Sequence, residues 1–144
     1  MFCRAHAVQL HRDRAEFERA GVEIVAIGNG TVEQAAAFVR EHGLNGLRLV
    51  VDPERRVYEA AGTRVGTLSQ LVGPRVMLGG ARRAAGRGGA RQGRVIGHAA
   101  QLGGVLIVAP DGSMPYAYAA ENASDIAPRD EVLAAARRAA VAVA

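Results

Sequence analysis

The chain has no lysine, no tryptophan and only one cysteine. All 18 basic residues are arginine, which, beside the abundant Ala, Gly and Val, reads as the imprint of a GC-rich genome rather than as a functional signal. A single cysteine excludes an internal disulfide, so any disulfide must be made with a small thiol, a partner protein or a second copy, which would be a homodimer. Cys3 with scattered histidines also excludes a zinc site, since His6 and His11 are five apart and neither His42 nor His98 has a partner at ligand spacing. No apolar run reaches the length of a membrane span, and the N-terminus lacks the regions of a signal peptide. The expected location is cytoplasmic, with no membrane partner.

Acidic residues are missing from the whole stretch between Glu59 and Asp111, while Arg64, Arg75, Arg82, Arg83, Arg87, Arg91 and Arg94 fall inside it. Such a stretch can meet phosphates or an acidic partner. It has no aromatic residue for base stacking and matches no nucleic-acid motif, so the simpler reading is a solvated loop without a nucleic-acid partner. The run GGARRAAGRGGARQGRVIG, from Gly79 to Gly97, cannot pack a core and reads as a long loop or insertion.

The rest has the make-up of one globular domain over residues 1–144, with 49% hydrophobic and 22% charged residues and a formal charge of +4. Residues 4–20 have helical spacing, with Cys3, Ala7, Leu10 and Phe17 near one face and Gly21 as the stop. Val22–Ile27 reads as a strand buried on both faces. Thr31 with Gln34 forms a capping box for a helix that ends at Gly43. Leu47–Val51 is a second strand, followed by Asp52 as N-cap and Pro53 at the first position of a helix that closes at Gly62. Gly104–Ala109 and Met114–Ala119 form a hairpin around Pro110-Asp111-Gly112, with Pro115 marking an edge strand. A last helix over 128–143 carries Val132, Leu133, Ala136 and Ala140 on its inner face. Alternating helices and strands imply an α/β fold with parallel neighbours.

Cys3 stands where the first helical pattern begins. A thiol there meets unpaired backbone N–H groups and the positive end of the helix dipole, both of which favour thiolate over thiol. That placement suits a redox or nucleophilic cysteine. Arg4 adds positive charge beside it, and His6 is a further candidate to assist. Gly28-Asn29-Gly30 before Thr31 lacks the lysine and the longer glycine spacing of a phosphate loop.

The string FCRAHAVQLHRDRAEFERAGVEIVAIGNGTVEQAAAFVREHG resembles the region after the active-site cysteine in peroxiredoxin-like proteins of the AhpC/TSA group, of the peroxiredoxin-like 2 type. LRLVVDPERRVYEAAG and QLGGVLIVAPDGSMPYAYAAENASD follow the same pattern, so the resemblance covers nearly all of the chain outside the Arg/Gly segment. It implies a thioredoxin-like three-layer α/β/α fold with a mixed sheet. It also implies a thiol-dependent antioxidant or reductase activity that runs on sulfur without a cofactor. Two departures stand out. That family places Cys-Pro-Phe-Cys-Arg before the first helix and attacks with the first cysteine, whereas here only Phe2-Cys3-Arg4 matches and Met1 stands where the proline would be. The strand ahead of the motif, central in that sheet, is also lacking. A truncated gene product or misplaced start codon is therefore expected, to be checked by reading the upstream DNA for an in-frame strand and cysteine codon.

The resemblance makes Cys3 the surviving motif cysteine, with Arg4 beside it. It puts Gly103 and Gly104 where the backbone of thioredoxin folds faces the active-site thiol. The expected activity is attack on a hydroperoxide or a mixed disulfide, with recycling by an external thiol such as a thioredoxin or a small thiol. The alternative is a non-catalytic thioredoxin-like module, either a degenerate remnant or a binding domain that uses the arginine segment.

Overall fold

The computed structural model describes residues 2–74, 76–78 and 100–141. The Gly/Arg-rich stretch at 79–97 lies outside them. The elements in chain order are helices α1 (Phe2–Arg12) and α2 (Arg14–Arg19), strand β1 (Val25–Gly28), helix α3 (Val32–His42) and strand β2 (Arg48–Val51). Helices α4 (Arg56–Ala60) and α5 (Leu68–Val72), strands β3 (Gly104–Ile107) and β4 (Tyr116–Ala119), and helix α6 (Arg129–Val141) complete them.

Where the signals are local, the structure follows them. Thr31 Oγ1 accepts from Gln34 N at 3.3 Å and Gln34 Oε1 accepts from Thr31 N at 2.9 Å, which closes the capping box of α3. Gly43 ends that helix in the left-handed region at φ 63°. The first helix, expected unbroken to residue 20, instead divides at Asp13. There the carboxylate turns to the guanidinium of Arg129, with Oδ2 accepting from Nε at 2.8 Å, while Glu16 Oε1 accepts from Nη2 at 2.6 Å. This charge cluster fastens α2 to the start of α6. Helix α5 was not foreseen, although Thr67 and Gln70 repeat the spacing of Thr31 and Gln34, and Gln70 Oε1 accepts from Thr67 N at 2.8 Å.

β1 and β2 pair in parallel with Val25 opposite Arg48, joined through α3, and β3 and β4 pair antiparallel with Gly104 opposite Ala119. Among the described residues these are two separate two-stranded sheets, so the halves expected to flank a central strand stay apart. Two clusters make most of the core, with Val76 and Leu102 buried outside them. Val8, Phe38, Leu44 and Leu47 lie beneath β1 and β2. Phe17, Ile107, Ala127, Val132, Leu133, Ala135, Ala136 and Ala139 bind β3 to α2 and α6. Ile24, just ahead of β1, packs against both and joins them. The connectivity, with a parallel α/β unit followed by a hairpin and a closing helix, is that of a thioredoxin-like α/β fold.

β1 is not buried on both faces as expected. Its burial alternates, leaving Val25 43% and Ile27 38% exposed, because the cluster of Val8 and Phe38 covers only the opposite face. The proline-capped helix also starts later than its sequence implied. Asp52 caps through its side chain while Arg55, at φ 61°, precedes the first turn of α4.

Leu44 is the largest fully buried side chain described. Leu44→Ala is expected to lower stability by about 2–5 kcal/mol in urea unfolding. Met114→Ala, at a side chain 58% exposed, should stay within about 0.5 kcal/mol. Equal effects would contradict this placement of the core.

Candidate active site

Cys3 sits in the first turn of α1 with its thiol free and exposed. Its Sγ lies 3.2 Å from where a Cβ would stand on Gly103. The lack of a side chain at Gly103 is thus what leaves the sulfur room beside the backbone entering β3. Gly103 O accepts from Ala120 N at 3.0 Å, which holds that backbone as an extension of the hairpin. Gly104 serves a different end. A Cβ there would stand 2.5 Å from Tyr118 O, so its glycine permits the close approach of β4 rather than contact with the thiol. Arg4 lies with Cζ 5.9 Å from the centroid of Phe38, a cation–π contact that ties the first turn of α1 to α3.

The structure adds a residue that the sequence did not single out. Tyr58 Oη donates to the carbonyl of Ile27 at 2.7 Å. Burial, then the nearby charge of Cys3, then that of Asp52 push this phenol up to about 12. It is therefore a hydrogen-bond donor and not a base at ordinary pH. Asp52 positions it: buried at the end of β2, its carboxylate accepts from Arg56 N at 3.1 Å and Val57 N at 2.8 Å and so sets the first turn of α4. Asp52 was visible in the sequence as a cap. Tyr58 was not, because its partner is 31 residues away. Among the described residues no group of three or more His, Cys, Asp and Glu is placed to hold a metal ion, and no helix is long and apolar enough to cross a membrane.

Tyr116 and Tyr118 are also raised, each first by burial, and Tyr118 next by its hydrogen bond to Asp125. All three phenols stay neutral in the folded chain to a higher pH than in the unfolded one. The stabilisation this provides is complete below the unfolded value of about 10 and is lost as pH rises through the folded values. Urea midpoints should therefore fall above pH about 10, with tyrosinate absorbance appearing together with the loss of circular dichroism. Tyrosinate forming near pH 10 in a chain that is still folded would contradict these environments.

Compared with known protein families, residues 9–122 match the one described as AhpC/TSA antioxidant enzyme, about four-fifths of the chain. The match begins within α1 and takes in Gly103 and Gly104, while Cys3 and Arg4 lie just ahead of it. No curated protein and no solved structure matches the chain.

Proposed function

This chain belongs to the AhpC/TSA antioxidant enzyme family, and from that premise we propose that it is a thiol-dependent oxidoreductase whose reacting group is Cys3. The observation that carries the reading is the exposed sulfur in the first turn of α1, set against the side-chain-free backbone at Gly103. Backbone N–H groups of that turn have no partner within the helix. Arg4 adds positive charge next in the chain, held over Phe38.

Against a hydroperoxide, the Cys3 thiolate attacks one oxygen and the O–O bond breaks. The alkoxide leaves and takes a proton, and the sulfur becomes a sulfenic acid. An external thiol then attacks that sulfur, forming an S–S bond with loss of water. A second external thiol releases Cys3 and leaves as the oxidised disulfide. Overall, one hydroperoxide and two thiols give one alcohol, one water and one disulfide. Against a disulfide, the same thiolate attacks one sulfur and the other departs as thiolate. The reductant must come from outside, because the chain has no second cysteine to resolve the first. A thioredoxin or a small thiol fits that role, and the chemistry needs no cofactor beyond sulfur.

Cys3→Ser should reduce thiol-dependent consumption of cumene hydroperoxide to the uncatalysed rate while leaving the unfolding free energy from urea titration within about 0.5 kcal/mol of the parent. Unchanged turnover in this variant would sink the assignment.

A further inference from the structure

The two half-sheets are tied to each other next to the thiol by a short run of side chains. Gly28 O accepts from Asp52 N at 2.7 Å and so faces β2. By strand alternation, the carbonyl of Ile27 faces the opposite edge of β1, which pairs with no strand among the described residues. Tyr58 Oη donates to that carbonyl. The backbone carbonyl of Tyr58 accepts from Thr63 N at 3.0 Å and from Thr63 Oγ1 at 2.8 Å. Thr63 Oγ1 in turn accepts from Gln101 Nε2 at 3.1 Å, and the same amide donates to Arg64 O at 3.2 Å and Leu102 O at 3.1 Å.

Beside this network the two backbones run antiparallel. Leu102 N donates to Arg64 O at 3.0 Å and Gly66 N to Ala100 O at 2.7 Å, with Val65 opposite Gln101. The next residue is Gly103, which faces Cys3. Tyr58, Thr63 and Gln101 therefore form a continuous path from the edge of β1 away from β2 to the backbone opposite the sulfur, and among the described residues no β-ladder joins the two sheets.

We propose that Tyr58, Thr63 and Gln101 are positioning residues of the thiol site, which hold the backbone at Leu102–Gly103 in register with Cys3 for peptide disulfides. This rests on Cys3 being the reacting thiol. Gly103 borders the sulfur, so a bulky disulfide that comes in line with Cys3 passes against that backbone; Cys3 then forms the mixed disulfide and expels the other half as thiolate. A small electrophile needs only the exposed sulfur. Loss of register therefore slows the first reaction and spares the second, since displacements of about 1 Å cost up to about a hundredfold in rate.

The test compares two rates on Cys3 in the full chain, alkylation by iodoacetamide and mixed-disulfide formation with oxidised glutathione, with circular dichroism as the check on folding. Tyr58→Phe and Thr63→Val remove one hydroxyl each, and Thr63→Ser keeps it. The expected result is glutathione exchange slowed about tenfold or more in the first two, alkylation unchanged, and parental behaviour in Thr63→Ser. Exchange at the parental rate in Tyr58→Phe and Thr63→Val would overturn the proposal. So would equal slowing of both reactions, or failure of Thr63→Ser to restore exchange. A parent chain that is alkylated normally but inert to oxidised glutathione would overturn this proposal, and only failure to consume cumene hydroperoxide as well would overturn the assignment of Cys3. A reactive parent with unaffected variants would overturn the positioning role alone.

Discussion

The carboxylate of Asp52 is the buried charge on which the arrangement around the thiol depends. A buried carboxylate is costly unless its oxygens are occupied, and here they take the amides of Arg56 and Val57, while its own backbone N–H goes to Gly28 O. One residue thereby closes the β1–β2 ladder and starts α4. It also compensates for Arg55, which sits in the left-handed region although it carries a side chain. With α4 fixed, Tyr58 reaches Ile27 and Thr63 reaches Tyr58. The backbone that faces Cys3 follows from there.

Chemistry at this site calls for a sulfur that is accessible yet held in place. Accessibility comes from the exposure of Cys3 itself and from Gly103, which has no side chain to crowd the sulfur. Support comes from three directions. Arg4 on Phe38 anchors the first turn of α1 to α3, Val8 sinks into the cluster under β1, and the hairpin holds Gly103 against Ala120. The phenol of Tyr58 gives its one proton to Ile27 O and, neutral up to about 12, adds no competing charge. This pattern fits a thiol that reacts and is then recycled by another molecule, as the family of this chain implies.

What could be read from the sequence was whatever is decided within a few residues. The capping box at Thr31 and Gln34, the stop at Gly43 and the hairpin around Asp111 all depend on near neighbours, and all are present. The break at Asp13 was not legible, since the arginine that Asp13 bonds there is 116 residues away. β1 was misjudged for the same kind of reason: an apolar run shows that burial is available, but which face is covered depends on where the helices pack. Thr67 and Gln70 repeat the capping signal of Thr31 and Gln34, so α5 is legible from near neighbours as well. The pairing of Cys3 with Gly103 came from the resemblance, since nothing in the spacing of two residues so far apart announces contact.

The most direct measurement is dimedone trapping of a sulfenic acid after one equivalent of hydrogen peroxide, read by peptide mass, on the folded chain and on the same chain in urea. If the fold makes Cys3 the reacting thiol, the adduct forms on Cys3 in the folded chain and far less in urea. Equal labelling in both states, or none in the folded chain, would contradict a fold-activated thiol and with it the central assignment.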